Sequence, residues 1–577
     1  MSVRAAPSPP APQPAKPRTQ ARAEGTPPRA SPRKQSRALI IPEAIGAVFL
    51  GLIGVLVPIF VLPAHVLTDF QPARSAMIHA KWIVFQSLAV LTVLVGAIAL
   101  FTPLWRRYLQ PQVLLVLVPL MLFFLWGVLA ALFSPSPSPS LTVWTPHLLA
   151  GLAVAMAPLF LARPLWTRIF LIGVLISGTG ITLIGVVSSL GFYGFNEFIY
   201  GMDPRALVEA TDDERVVRRV VEGGMARSAS ISTLANPEYA GSFAAVIAAI
   251  GAVFLFDGTP HLRRKKLWRM VALAVIALAL LHLAFSGSRQ PWVAITLAAM
   301  LRLALELRLP AAPLAGGFCV LLLTALFVGI VPAAGLAVLL GAAGLVWSWR
   351  TGALGEALSG GFTFNKSIVF GTPVVLGVLM VAFSTPGPWN PTGLRVMQRF
   401  ADVTRADDQS VRERSVMYML ASDMVRQRPV FGVGPGRYTN EFSPSLARII
   451  REDESGAVYT ARHRIGNRIA EQTHNDYLQI ASELGLPALV FFLSAMLALQ
   501  AGLWRIARRM GDPRRLPALV VFCAIITFLG IMFTSFPLHM PSRGALFWSL
   551  VAAGIGLLAA GRQPLSSRTR EEPSAGT

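Results

Sequence analysis

Four short stretches carry side chains suited to chemistry on anions and hydroxyl groups. Ser286-Gly287-Ser288-Arg289-Gln290 places an arginine in a tight turn between two apolar runs. Arg412-Glu413-Arg414 sits on a helical pattern and is followed by Arg428-Pro429-Val430-Phe431-Gly432-Val433-Gly434-Pro435-Gly436. His474-Asn475-Asp476-Tyr477-Leu478-Gln479 runs on to Glu483-Leu484-Gly485-Leu486-Pro487 at the mouth of another apolar run. Arg227 precedes Asn236-Pro237-Glu238-Tyr239-Ala240, which opens a further one. Arginine suits a phosphate or diphosphate because its planar fork stays charged and makes two-toothed hydrogen bonds. A histidine with an ordinary pKa near 6.5 can take a hydroxyl proton near neutrality.

Each of these residues also has a plainer reading. Arg289 can be an arginine whose head snorkels out of the bilayer. Arg414 alone reads as a solvated face residue. His474 can be a capping or core histidine; the spacing expects Glu471, His474 and Leu478 near one face of a helical turn series. The Gly432–Gly436 stretch lacks the Gly-Lys-Ser/Thr ending of a phosphate loop and follows no strand, so it reads as a backbone turn that re-aims the chain. The two cysteines, Cys319 and Cys523, lie in apolar runs, and the eight histidines show no paired spacing; no metal site and no cofactor are expected.

These residues need elements to hold them, and the composition says which. The chain has 577 residues, 54% hydrophobic and 14% charged, against about 25% charged in soluble domains. That disfavours a soluble enzyme, a disordered hub or a fibre. Fourteen apolar runs approach the length needed to cross a bilayer: 40–63, 80–102, 112–133, 146–162, 169–190, 236–256, 270–286, 290–307, 310–329, 331–348, 367–384, 486–503, 516–536 and 543–561. Only Val331-Pro332 separates the two runs in 310–348, which can instead form a re-entrant hairpin. The expectation is an all-α polytopic membrane bundle of about 12–14 spans.

The net charge of +22 falls almost wholly on one side if the N-terminus is cytoplasmic. Basic inner loops such as Arg263-Arg264-Lys265-Lys266 and the cluster Arg505, Arg508, Arg509, Arg514, Arg515 follow the positive-inside rule. The excess therefore gives no support to a nucleic-acid partner. All four motif stretches fall on the opposite side. The expected organisation is a basic, Pro-rich disordered tail over 1–37, membrane helices over 38–384, a large outer loop over 385–485, further membrane helices over 486–561 and a second disordered tail over 562–577. Within the loop, 411–427, 441–452 and 466–483 have helical patterns. The spans hold few ionisable residues, Glu43 and His282 among them, which argues against an ion-coupled transporter.

In order and on one side, the stretches resemble the O-antigen ligase / Wzy superfamily of bacterial envelope glycan transferases. HNDYLQIASELGLP looks like that family's His-Asn signature before a span, and RPVFGVGPGRY like its glycine-rich segment. SGSRQ resembles its Ser-Arg-Gly turn, with Gln290 in place of the glycine. Arg414 matches the family's helical arginine, and Arg227 with Asn236-Pro237 its Arg…Asn-Pro-Asn stretch, with Glu238 where an Asn is common. The match covers about 225–490.

The resemblance implies a GT-C-like fold and transfer of a glycan from a polyprenyl diphosphate carrier to an acceptor hydroxyl. That work is done at the periplasmic face of the bacterial inner membrane, with both termini cytoplasmic. It implies His474, Arg289 and Arg414 as catalytic residues and Arg227, Asn236, Asn475 and Glu471 as substrate-binding ones. No metal or other cofactor is implied. The acceptor can be a lipid A core, a growing polysaccharide or a protein, so ligase and polymerase remain rivals. From other classes, a lipid-linked glycan flippase and a scaffolding membrane protein compete.

Overall fold

The computed structural model describes residues 37–61, 73–190, 192, 232–234, 236–257, 265–288, parts of 290–302, 409–453, 469–509 and 511–561. Among them no strand occurs, and the chain is an all-α, multi-pass membrane protein. Its helices are α1 (Arg37–Ile59), α2 (Ala73–Leu100), α3 (Pro111–Leu132), α4 (Pro137–Ala155), α5 (Ala157–Phe160), α6 (Pro164–Ser189), α7 (Pro237–Asp257), α8 (Lys265–Ser286), α9 (Gln409–Gln427), α10 (Tyr438–Glu452), α11 (Asp476–Leu484), α12 (Leu486–Ala507), α13 (Arg515–Ile531) and α14 (Pro541–Ala559). Among the described residues nine helical segments are long and apolar enough to cross a membrane, with α4 and α5 forming one of them; α13, at 17 residues, is shorter. The expected spans at 310–329, 331–348 and 367–384, and most of 290–307, lie outside the described residues. So do both expected tails, except Arg37, which begins α1.

Proline sets several helix starts. Pro111, Pro137, Pro164 and Pro541 each stand in the first turn, where the missing N–H has no intrahelical partner to lose.

The last helix is the core of the bundle. The whole apolar stretch of α14 is buried, as expected for a helix that is hydrophobic all round. It packs against α1, α13, α5, α4, α3 and α12. By contrast α2 and α8 keep two thirds of their apolar stretches unburied, a face suited to lipid. Toward one end of the bundle Glu43, 1% exposed, pairs with Arg163 Nε at 3.0 Å and Arg107 Nη1 at 3.4 Å. A carboxylate so deeply buried requires such partners.

At the other end α9, α10 and α11 form a small helical unit with its own core of Val416, Leu420, Met424, Val433, Tyr438 and Phe442. It docks on the membrane helices through α11, which packs on α12 and α3. Trp126 of α3 stacks on Phe431 with ring centroids 5.2 Å apart, and its Nε1 donates to Leu484 O at 3.1 Å. Helices at 409–427 and 438–452 match the expected stretches closely. The expected helix at 466–483 does not: it begins only at Asp476. Asn475 is the reason. Its Oδ1 accepts from Tyr477 N at 3.0 Å and Leu478 N at 3.1 Å, an N-cap that fixes the start. Glu471, His474 and Leu478 therefore do not share a helical face, which corrects that expectation.

Candidate functional site

The ends of α1, α2, α7, α8, α9, α11, α13 and α14 converge. Tyr418 of α9 donates through its hydroxyl to Phe533 O at 3.1 Å, beyond the end of α13. Asp476 N donates to Met532 O at 2.9 Å. Ser288 Oγ donates to Pro237 O at 3.5 Å. Thr233 Oγ1 donates to Pro58 O at 2.9 Å.

At the centre stands His474, in the left-handed region at φ 56°. A non-glycine residue there costs of order 1–3 kcal/mol and persists only where its surroundings enforce it. Here they do. Thr473 Oγ1 donates to Asn475 O at 2.6 Å and accepts from Asn475 N at 3.1 Å, while Thr473 N donates to Gln479 Oε1 at 2.7 Å. The imidazole packs edge-on against Phe536, centroids 4.8 Å apart. It lines a cavity of about 340 Å³, together with Tyr239, Glu413, Glu471, Phe536 and Met540. Burial pushes its pKa below the ordinary value, Glu238 opposes this, and the Arg414 and Arg543 cations add to it. The ring is therefore neutral at neutral pH and able to accept a proton.

Arg414, on α9, reaches the Ser286–Gln290 turn. With the Gln290 amide oxygen facing the guanidinium, Nη1 and Nη2 donate to it at 3.1 and 2.5 Å. The helical arginine and the turn that carries Arg289 in sequence thus meet at one place. Arg289 itself and Arg227 lie outside the described residues.

The other expected site residues have local partners. Asn475, 2% exposed, gives its Oδ1 to the α11 cap. Asn236 Oδ1 accepts from Glu238 N at 2.8 Å at the start of α7. Glu471 is exposed and lines the cavity.

The glycine-rich turn serves this site through backbone contacts. Val433 N and Gly434 N donate to the carbonyls of Ser482 and Glu483, both at 2.9 Å. The Glu483 side chain accepts from Gly436 N at 3.0 Å, Tyr438 N at 3.2 Å and Gln479 Nε2 at 2.9 Å. Gly432 has φ 64°, and a Cβ there would strike the Glu483 backbone. The turn is docking geometry for α11.

Asp476, read in the sequence only as part of the His474 stretch, and three residues absent from that reading complete the surroundings. Asp476 Oδ1 meets His539 Nδ1 at 2.9 Å, and Asp476 Oδ2 accepts from Leu538 N at 3.0 Å. Burial works against a charged His539, but the Asp476 hydrogen bond and charge outweigh it with help from Glu483, so its pKa lies above the ordinary value. Arg543 of α14 is fully buried, with Cζ 4.1 Å from the Tyr239 ring centroid. Lys81 of α2 is 2% exposed, and its Nζ donates to Pro58 O and Thr233 O, both at 2.7 Å. One signal was present for Arg543: it is a lone cation at the mouth of a span on the side that the positive-inside pattern leaves poor in excess charge. Among the described residues no group of three or more His, Cys, Asp and Glu side chains is placed to hold a metal ion.

Residues 274–493 match the family model described as O-antigen ligase. Over those residues the chain is similar to the O-antigen ligase family. The matched region contains the Ser286–Gln290 turn, Arg414, the glycine-rich turn and His474, so the resemblance read from the sequence is borne out there. Tyr239, His539 and Arg543 lie outside the matched residues but close to His474 and Asp476. No curated protein matches the chain. The family supports an O-antigen ligase or polymerase type of activity in a multi-pass membrane protein.

Proposed function

We propose that the protein is an O-antigen ligase-like glycosyltransferase. It moves a glycan from a polyprenyl diphosphate carrier to an acceptor hydroxyl on a lipid A core or a growing polysaccharide. The reaction takes place at the periplasmic face of the bacterial inner membrane, with both termini cytoplasmic. The observation that carries this reading is His474: a histidine kept neutral by burial and by neighbouring cations, lining a cavity of about 340 Å³ beside Arg414.

His474 takes the acceptor proton as the acceptor oxygen bonds to the anomeric carbon. The carbon–oxygen bond to the diphosphate breaks, and its electron pair stays on the phosphate oxygen. Attack opposite that bond inverts the anomeric carbon. Arg414 and Arg289 hold the diphosphate and stabilise the charge that builds on it, a contribution typically among the largest in such catalysis. Arg227, Asn236, Asn475 and Glu471 contribute to substrate binding, Asn475 and Asn236 by fixing the backbone around the site. On this reading arginine side chains supply the charge, so transfer proceeds in the presence of EDTA.

The test uses purified full-length protein in nanodiscs with a polyprenyl-diphosphate-linked glycan and, separately, a lipid A core or a polysaccharide acceptor. Acceptor-dependent release of polyprenyl diphosphate that survives EDTA supports the proposal, and the working acceptor names the branch. No release with either acceptor, alongside movement of the same lipid between leaflets, refutes it in favour of a flippase.

A further inference from the structure

Arg543 enters the bundle at the start of α14 and is 0% exposed. A guanidinium taken out of water normally recovers the lost hydration through carboxylates or a full set of hydrogen bonds. Arg543 has one: Nη1 donates to Ser535 Oγ at 3.0 Å. Its Nε and Nη2 have no hydrogen-bond partner among the described residues. Those two groups form a single edge of the guanidinium, the edge that grips a phosphate or carboxylate with two parallel bonds. The nearby carboxylates are otherwise placed. Asp476 gives its oxygens to His539 and Leu538 N, and Glu238 makes no ion pair with Arg543.

The surroundings place this free edge next to the reaction site. The guanidinium lies over Tyr239 at 4.1 Å and 5.6 Å from the centroid of Phe536. Phe536 has His474 as its other neighbour, at 4.8 Å. Tyr239 and Met540 line both the large cavity and a second, water-sized one of about 10 Å³. Arg543 and Lys81 line that second cavity. Lys81 is a buried amine whose Nζ donates to two carbonyls, with no carboxylate paired to it among the described residues.

We propose that Arg543, backed by Lys81, is an anion subsite in the small cavity that shares Tyr239 and Met540 with the His474 cavity, and that it takes the diphosphate leaving group. The inference rests on the transferase reading above. The body of the diphosphate lies in the larger cavity. One phosphate oxygen occupies the water-sized space, where it meets Nε and Nη2 of Arg543. As the bond from the anomeric carbon to the phosphate oxygen breaks, that oxygen keeps the electron pair, and the buried Arg543 guanidinium stabilises it. Aromatic packing on Tyr239 and Phe536 fixes the orientation of the guanidinium, as cation–aromatic contacts do.

The experiment measures binding of inorganic pyrophosphate to the full-length protein in nanodiscs by calorimetry, for the wild type, Arg543→Gln and Arg543→Lys. The same proteins are assayed for donor and acceptor KM. The subsite predicts a tenfold or greater weakening of pyrophosphate binding in Arg543→Gln and partial recovery in Arg543→Lys. It also predicts a donor KM that rises while the acceptor KM stays put. Unchanged pyrophosphate affinity in an Arg543→Gln protein with the wild-type melting temperature overturns it, as does a wild type that binds no pyrophosphate. If Arg543→Gln does not fold, Arg543→Lys decides: weaker pyrophosphate binding supports the subsite and unchanged binding overturns it. The two readings fail separately. A wild type that binds pyrophosphate through Arg543 but transfers no glycan keeps the subsite and refutes the transferase.

Discussion

Asp476 and His539 meet at 2.9 Å, two residues along the chain from His474, and join the start of α11 to the connection between α13 and α14. Asp476 is fully buried, and its second oxygen holds Leu538 N. The pair therefore fixes the two segments that carry His474 and Phe536, whose rings touch.

The pair makes stability depend on pH in a defined direction. The pKa of His539 is raised in the fold, chiefly by Asp476 acting against burial. A raised histidine contributes stability that is fully present below the unfolded value of about 6.5 and is lost as pH rises through the folded value. The melting temperature of the wild type should fall from pH 6.5 to 8.5. In Asp476→Asn that fall should shrink, and overall stability should drop by about 1.5–3 kcal/mol, the scale of a charge-assisted hydrogen bond. Melting curves in nanodiscs at the two pH values check both points; equal slopes in the two proteins would refute the assignment.

Catalysis should show the opposite shift. His474 is lowered by burial first, with Arg414 and Arg543 adding to it against Glu238. As a general base it works deprotonated, so activity should persist below pH 6.5 and decline only as pH falls through the lowered value. A profile of polyprenyl diphosphate release against pH gives the acidic limb. A limb at or above 6.5 would contradict a neutral, buried His474.

Gly485 is the hinge between α11 and α12, at φ 87°, and a Cβ there would strike Val430 O. Gly485→Ala should destabilise the docking of the glycine-rich turn by about 1–3 kcal/mol, the usual scale of strain at such a backbone position. Limited proteolysis of the 409–453 region, followed with the melting temperature, reads this out. A variant as resistant and as stable as the wild type would show that the turn does not depend on the close approach.

Arg414→Lys tests whether shape matters as well as charge. Lysine keeps the charge but cannot offer Gln290 two nitrogens at once. Turnover should fall roughly tenfold or more, as expected when a two-toothed charged contact is lost. Steady-state kinetics with the lipid-linked donor measure it, and wild-type turnover would reduce Arg414 to a point charge.

Residues whose role is local were the legible ones. The glycine spacing of 432–436 announced a turn without a phosphate loop, and its positive φ angles at Gly432, Gly434 and Gly436 agree. The helix expected from 466 starts only at Asp476, because the Asn475 cap, which was not read from the sequence, sets its start. Lys81 and His539 were not legible, and Arg543 showed only its place as a lone cation at the mouth of a span. Each is a single polar residue at the mouth of an apolar run, with no repeating pattern. Its importance arises only because α14 is the central helix and brings distant segments together, which no local pattern encodes.

The most direct test of the account is turnover by His474→Ala with a defined lipid-linked glycan and acceptor, in protein shown to melt as the wild type does. Loss of a general base typically removes about 10²–10⁴-fold in rate. The account predicts a loss of that size in polyprenyl diphosphate release while pyrophosphate still binds. Release at the wild-type rate would contradict the role of His474 and, with it, the proposed mechanism.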